Sequence, residues 1–353
     1  MAHIVATSTG FPPHYYTQEE MLAALRKVWA DRHPNIGRLE RIHRNLLIQG
    51  RHLALPLEAY RTPTGFAANN TTWIESALNL GEAILGTLFE RARIDAAEIS
   101  QLTFTTVTGI AVPSIDARLM NRIPFARNLK RMPLFGLGCA GGAAGVARVA
   151  DYLRGHPEEA AVLLSIELCS LTLQLDDLSI ANIISSGLFG DGAAAVLMVG
   201  AAHPLARPGQ PRVIDSRSVF FPKTEHVMGW DIRDSGFKMI LSADVPELAQ
   251  TSLHPAIETF LAEHRLSIHD IAHWIAHPGG PKVIEALETG LGLNGDAFRL
   301  SRESLACVGN VSSASVLLIL DQVLAGSQPQ PGAYGLMLAL GPAFGAELVL
   351  LQW

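Results

Sequence analysis

The sequence predicts a layered α/β fold made of two similar halves. Short apolar segments, typical of buried strands, alternate with helical patterns along the 353 residues. A glycine-rich turn runs directly into an apolar strand over residues 187–199, and the same arrangement returns over residues 341–351. A turn followed by a helix also occurs twice, around Cys139 and around Asn310. These two repeated patterns, which come in the same order along the chain, indicate an internal duplication.

The division between the halves is predicted from a Pro- and Gly-rich stretch near residues 201–212. We therefore expect an N-terminal half over residues 1–205, which carries the Cys139 turn. A C-terminal half is expected over residues 212–353, which carries the Asn310 turn.

The elements follow from local patterns. Thr17 precedes an apolar helical pattern and predicts its N-cap. The stretch 36–66, which contains Arg41, Arg44 and Arg51, shows no regular spacing of apolar residues and is predicted to be irregular in structure. Helices are expected over residues 18–29, 70–92, 96–99, 143–153 and 312–324, and strands over residues 2–9, 102–107, 132–137, 162–167, 193–199 and 347–351.

Composition narrows the class of protein. With 48% hydrophobic and 17% charged residues, the chain can bury a large core. The net charge of −6 is not clustered, and no basic run indicates nucleic acid as a partner. Three cysteines form neither a disulfide framework nor a metal-binding spacing, so we expect no metal and a cytoplasmic protein. No signal peptide or membrane span is expected, because Gly and Pro interrupt the most apolar segment, 333–351.

Cys139 is the strongest candidate for chemistry. It lies in a Gly-Cys-Ala-Gly-Gly turn between an apolar strand pattern and a helix pattern. We expect the helix N-terminus and a nearby imidazolium, if His277 is within reach, to lower the pKa of its thiol. Exposed N–H groups at such a turn are candidates for an oxyanion hole, worth about 3 kcal/mol per donor. Taken singly, Cys139, His277 and Asn310 have structural roles as core or turn residues; together they indicate acyl transfer through a thioester.

The chain resembles the type III polyketide synthases of the chalcone synthase superfamily over nearly its whole length. The resemblance is carried by Thr108-Gly109 with Pro113 and Asp116, the Cys139 turn, Glu167-Leu168-Cys169-Ser170, Leu188-Phe189-Gly190-Asp191-Gly192-Ala193, His277-Pro278-Gly279-Gly280-Pro281, and Gly309-Asn310 with Ser312-Ser313-Ala314. It implies a thiolase-like fold with five layers, αβαβα. It also implies a homodimer, in which Val112 reaches the partner's cavity.

The resemblance assigns roles to these residues. Cys139 would take a starter acyl group from CoA, with His277 paired to the thiolate. His277 and Asn310 would hold the malonyl-CoA carbonyl and stabilise the enolate formed on decarboxylation, without a cofactor. Phe189 and Met239 fall at the two gatekeeper positions between the CoA tunnel and the cavity.

Cys169 falls where bacterial enzymes that accept fatty acyl starters open a side tunnel. Thr108, Ser312, Ser185 and Ser186 are further lining candidates. Lys282 is the preferred candidate for a CoA phosphate, whereas Arg44 and Arg51 match the family's basic cluster only loosely. Ala343 replaces a family glycine that shapes the cavity wall.

We therefore predict an enzyme that extends a medium- or long-chain acyl-CoA with several malonyl-CoA units and closes the product to an alkylpyrone or alkylresorcinol. Three alternatives remain open. They are a ketosynthase III that condenses once, a papain-like cysteine protease with the same Cys, His and Asn order, and a non-catalytic paralogue.

Overall fold

The computed structural model describes residues 1–30, 32, 36–61, 65–326 and 329–353. Its strands are β1 (Ala2–Gly10), β2 (His14–Thr17), β3 (Gly50–Leu53), β4 (Ile99–Thr106), β5 (Lys130–Phe135), β6 (Ala160–Leu168), β7 (Asp191–Val199), β8 (Arg212–Val219), β9 (Met228–Arg233), β10 (Gly236–Leu241), β11 (Ile271–Ala276), β12 (Tyr334–Gly341) and β13 (Gly345–Gln352). Its helices are α1 (Gln18–Trp29), α2 (Ile36–Arg44), α3 (Phe66–Ala92), α4 (Ile115–Leu119), α5 (Gly141–Gly155), α6 (Ile180–Leu188), α7 (Val245–Glu263), α8 (Pro281–Leu291), α9 (Arg299–Val308) and α10 (Ser315–Ala325).

Nine strands form one mixed sheet in the order β11-β12-β13-β8-β1-β7-β6-β4-β5. The N-terminal and C-terminal parts of this sheet meet only at the short β1–β8 pairing. Helices α5 and α10 pack in one apolar cluster with strands from both parts. A second cluster holds α3 and α4 against the outer side of the N-terminal part, and a third holds α7 and α8 against the other part. The layers are therefore αβαβα, as predicted for a thiolase-like fold.

The capping prediction for α1 is confirmed, because the Thr17 side chain accepts the N–H of Glu20 while the Glu20 carboxylate accepts the N–H of Thr17. The strands predicted around residues 2–9, 102–107, 162–167, 193–199 and 347–351 are present, each somewhat longer than predicted. The predicted helix over 96–99 is a single 3₁₀ turn. No helix in the described residues is long and apolar enough to cross a bilayer.

Two predictions about the N-terminal half are wrong. The stretch 36–66 contains α2 and β3, because Leu39 and His43 lie one turn apart and are both buried on one face of a short helix. Residues 62–64 of that stretch lie outside the described residues. The strand before Cys139 is not buried: β5 ends the sheet, and Phe135 at its end is 53% exposed.

Candidate active site

Cys139 lies on a turn that only small residues can form. After β5 the chain passes through one 3₁₀ turn, 138–140, and enters α5. Gly138 has φ +50°, and a Cβ there would lie 2.5 Å from Cδ of Pro342. A Cβ on Gly142 would lie 2.2 Å from the carbonyl oxygen of Ser313. The glycines therefore let the Cys139 turn approach the two C-terminal turns closely.

His277 follows the parallel strand β11 and precedes α8. Its N–H donates to the carbonyl of Leu338, 2.7 Å away, which continues the pairing with β12. The side chain is buried, and its Nε2 lies 3.4 Å from Nδ2 of Asn310. The imidazole is therefore held at the end of a strand and faces the amide of Asn310.

Asn310 is fixed in both backbone and side chain. Its Oδ1 accepts the N–H of Ser312 at 2.8 Å, which directs Nδ2 toward His277. The thiol of Cys139 donates to the Ser312 hydroxyl at 3.6 Å, and the nearby Asn310 amide acts to lower the pKa of the thiol. The fold thus brings the predicted Cys, His and Asn together, with Ser312 between the thiol and the Asn310 turn.

Burial dominates the electrostatics of the thiol and the imidazole. Burial raises the pKa of Cys139 to about 12, although the contacts with Ser312 and Asn310 act to lower it. Burial also lowers the pKa of His277 to about 3. The predicted lowering of the thiol pKa is therefore wrong for the resting site, because desolvation outweighs the helix N-terminus. Neither group ionises alone near neutral pH. Proton transfer from Cys139 to His277 would form both charges together, and their attraction at low dielectric would oppose the cost of burial.

A cavity opens beside the thiol. The predicted residues Thr108, Cys169, Phe189, Met239 and Ser312 all line it. Sequence reasoning missed further lining residues, and those that supply most of the apolar wall are Met228, Trp230 and Leu241. These three residues belong to the β9–β10 hairpin, which forms a separate two-stranded sheet. The alternating apolar residues on both sides of Asp234-Ser235-Gly236 are the signal that predicts such a hairpin.

A second cavity lies on the far side of Cys169. Four side chains line both cavities, namely those of Cys169, Phe189, Trp230 and Met239. Ser185 and Ser186 line only the second one, and their hydroxyls donate to carbonyls within α6. The remaining wall is largely apolar, and helix α1 contributes Met21, Ala24, Leu25 and Val28 to it.

The predicted CoA-binding residues lie in different environments. Arg51 is 1% exposed and donates to the carbonyls of Ser186 and Phe189, so the prediction that it meets a CoA phosphate at the surface is wrong. Burial lowers the pKa of Arg51 to about 10, which leaves the guanidinium charged at neutral pH. Arg44 is exposed 3.7 Å from Glu19, and Lys282 is exposed in the first turn of α8, five residues after His277.

Glu167 is a buried carboxylate whose role sequence reasoning did not anticipate. It accepts the Thr108 hydroxyl at 2.8 Å, the N–H of Val107 at 3.0 Å and the hydroxyl of Ser313. Burial raises its pKa, and these hydrogen bonds oppose the shift. A glutamate inside an apolar strand is the signal, because a buried carboxylate needs partners. Glu167 thereby joins the cavity wall at Thr108 to the turn that follows Asn310.

The loop at Ala343 keeps the backbone that glycine favours. Ala343 has φ +55° and Phe344 φ +41°, and each costs about 1 kcal/mol in this left-handed region. Phe344 is fully buried against Phe221, which supports the conformation. Pro342, rather than Ala343, borders the cavity beside Cys139.

The fold and the site define a class: a thiolase-like acyltransferase with a cysteine beside a cavity and a histidine and an asparagine close to that cysteine. Family models for the chalcone and stilbene synthases match the chain, the N-terminal domain over residues 1–203 and the C-terminal domain over residues 213–353. The chain belongs to this family of type III polyketide synthases.

Individual relatives agree with this assignment. The chain is 45% identical to a 1,3,6,8-tetrahydroxynaphthalene synthase of Streptomyces peucetius subsp. caesius, over 99% of this chain and 93% of the relative. It is 38% identical to a putative chalcone synthase of Bacillus subtilis, over 100% and 99% of the two chains. The crystal structure of the 1,3,6,8-tetrahydroxynaphthalene synthase of Streptomyces coelicolor A3(2), described as a bacterial type III polyketide synthase, superposes with a TM-score of 0.94 at 31% identity over 99% of each chain.

Proposed function

We propose that this type III polyketide synthase loads a medium- or long-chain acyl group from CoA onto Cys139. It then extends the acyl group with several malonyl-CoA units and closes the product to an alkylpyrone or alkylresorcinol. The observation that carries the proposal is the second, largely apolar cavity, which shares Cys169 with the cavity beside the nucleophile. Family membership favours this function over a papain-like protease, and the proposed repeated extension distinguishes it from a ketosynthase III.

In the loading step, the Cys139 thiol gives its proton to His277 as the sulfur attacks the acyl-CoA carbonyl. The carbon–sulfur bond to CoA breaks, and CoA leaves with the proton returned by His277. A new thioester bond to Cys139 holds the acyl group. Desolvation raises the pKa of the thiol and lowers the pKa of the imidazole, so the reactive thiolate forms together with the imidazolium.

In the extension step, His277 and Asn310 hold the thioester carbonyl of malonyl-CoA. Loss of CO2 leaves the bonding electrons on the α-carbon as an enolate, whose oxygen the two side chains stabilise in a dry site. The α-carbon attacks the acyl-Cys139 carbonyl, the thiolate leaves, and a 3-ketoacyl-CoA results. The Cys139 thiolate then attacks the thioester of the product and CoA leaves, taking one proton from solvent, so the acyl chain is reloaded for the next round.

The starter's tail extends past Cys169 into the second cavity. A cysteine side chain is small, so it leaves a passage where a ring would fill the space. Each methylene that moves from water into an apolar wall contributes about 0.8 kcal/mol to binding. A cavity bounded by α1 at its far side therefore favours starters with an alkyl chain over acetyl-CoA.

Purified protein is tested with malonyl-CoA and a series of starters from acetyl- to palmitoyl-CoA, with products identified by mass spectrometry. We expect alkylated triketide or tetraketide products, and we expect the highest rate of product formation with medium- or long-chain starters. Products of a single extension would contradict the proposal and favour a ketosynthase III.

A second candidate is synthesis of 1,3,6,8-tetrahydroxynaphthalene from malonyl-CoA alone. The 45% identity with the Streptomyces peucetius enzyme of that name favours it. The same assay distinguishes the two, because this product forms without an added starter. If malonyl-CoA alone is consumed as fast as with any acyl starter, the second candidate replaces the first.

We also propose a cytoplasmic homodimer. Val112 and Ile110 lie in the loop that precedes α4 and are 91% and 39% exposed, and exposed apolar side chains so close together support a protein partner there. Sedimentation of the wild type and of Val112→Asp tests this, and a monomeric wild type would contradict it.

A further inference from the structure

Helix α6 ends inside the protein, directly beside the catalytic Asn310. The carbonyls of its last turn have no partner within the helix, and buried carbonyls need one. Two of the four carbonyls over residues 186–189 accept hydrogen bonds from the same nitrogen. Arg51 Nη1 donates to the carbonyl of Ser186 at 3.0 Å and to that of Phe189 at 2.7 Å. A positive charge also complements the negative end of a helix.

Gln18 supplies the third partner. Its Nε2 donates to the carbonyl of Gly187 at 3.0 Å, and its Oε1 accepts from Arg51 Nη2 at 3.0 Å. Arg51 and Gln18 therefore act as one hydrogen-bonded unit, in which each side chain orients the other. Both are buried, so water does not replace either donor easily.

The fourth partner is Asn310 itself. Its backbone N–H donates to the Leu188 carbonyl at 2.9 Å, and its carbonyl accepts the N–H of Gly190 at 3.0 Å. The gatekeeper Phe189 lies between these two bonds and pairs with Asn310 as an isolated bridge. The position of Asn310 therefore depends on the position of the end of α6.

The aliphatic part of Arg51 also packs against the Asn310 turn. Gly309 has φ +73°, and a Cβ there would lie 2.8 Å from Cδ of Arg51. A Cβ on Gly190 would lie 3.4 Å from Cβ of Arg51. The side chain thus contacts the backbone on both sides of the bridge, and its guanidinium holds the helix end.

We propose that Arg51, oriented by Gln18, is a positioning residue for the condensation reaction. It fixes the end of α6 and, through the bridge, holds the Asn310 amide and the Phe189 ring in place. This inference rests on the proposed function, because the step it supports is the stabilisation of the malonyl-derived enolate by Asn310.

The test compares Arg51→Met and Arg51→Lys with the wild type. Two rates are measured per folded molecule: alkylation of Cys139 by iodoacetamide, and decarboxylation of malonyl-CoA. We expect Arg51→Met to lower decarboxylation about 10- to 100-fold while alkylation changes about twofold or less, since a displacement of about 1 Å in a positioned group costs up to about 10²-fold. Arg51→Lys keeps a charged donor and is expected to recover part of the loss.

Arg26→Met is the matched control, because Arg26 is an exposed arginine of α1 that pairs with Glu40 at 3.2 Å. It is expected to leave both rates unchanged. If Arg51→Met does not fold, Gln18→Met is used instead, because it removes the hydrogen bond that orients Arg51. We expect it to lower decarboxylation more than alkylation, but by a smaller factor than Arg51→Met.

Equal losses in both rates, or no loss in decarboxylation, would overturn the positioning role and leave Arg51 a purely structural residue. A wild type that does not decarboxylate malonyl-CoA would instead refute the proposed function, so the two failures are distinguishable.

Discussion

The two cavities that meet at Cys169 are built from different parts of the chain. The cavity beside Cys139 is bordered by the glycine-containing turns that place Cys139 and Ser312, and by apolar side chains of the β9–β10 hairpin. The second cavity is bordered by apolar side chains of α1 and of the same hairpin, and by polar side chains of α6. The turns thus place the candidate reactive groups, and α1 encloses the space proposed for a substrate's tail. Substitutions in the first region should abolish the reaction, whereas those in the second should change which starter is used.

The largest effect is expected for Cys139→Ala. The acyl thioester cannot form, so condensation falls by at least about 10⁴-fold. Because the side chain lies next to a cavity, the variant should remain folded. Product formation by mass spectrometry measures the loss, with circular dichroism as the folding control. Residual polyketide within about 100-fold of the wild type would mean that Cys139 is not the nucleophile.

His277→Gln should have the next largest effect. Burial raises the thiol pKa to about 12, so without a proton acceptor Cys139 stays protonated at neutral pH. We expect alkylation by iodoacetamide at pH 7 to be about 100-fold slower than in the wild type. The variant's rate should rise steadily with pH toward the raised thiol pKa. A rate at pH 7 equal to that of the wild type would show that the thiolate forms without the imidazole.

Cys169→Phe is expected to separate the two cavities. A ring at the shared wall would block an alkyl tail, so rates with long-chain starters should fall about 10- to 100-fold, while rates with acetyl-CoA change little. Cys307→Phe is the matched control, because Cys307 is exposed and lines neither cavity. Steady-state rates across the starter series measure the effect. Equal losses for short and long starters would indicate a general packing defect.

The smallest effect is expected at the far wall of the second cavity. Ala24 lines it, whereas its neighbour Ala23 is exposed on α1. Ala24→Phe should shorten the preferred starter by about one carbon or two and lower the rate with the longest starters about 4- to 15-fold, at about 0.8 kcal/mol per displaced methylene. Ala23→Phe should leave the product profile unchanged. An unchanged profile for Ala24→Phe would mean that the tail does not reach α1.

Sequence reasoning succeeded where a local pattern fixes the structure. Cys139, His277 and Asn310 each lie in or beside a turn that contains glycine or proline, next to an apolar segment, and the fold brings all three together. It failed where burial depends on distant neighbours. Arg51 looked like a surface cation, but the end of α6, some 135 positions away, needs its donors. The pKa of Cys139 was predicted to be lowered by the helix N-terminus and a nearby imidazolium, but desolvation of the thiol raises it instead.

The sequence by itself determined the layered α/β fold, six of its strands and the Cys, His and Asn that the fold brings together. These depend on periodicity, turn chemistry and residue type, which are local properties. Only the tertiary structure decided that β5 ends the sheet, that a hairpin over residues 228–241 borders the cavity beside Cys139, and that a second cavity lined by α1 shares Cys169 with the first. Cavities and desolvation arise where segments distant in sequence pack together, so no single stretch of the chain contains the information that defines them.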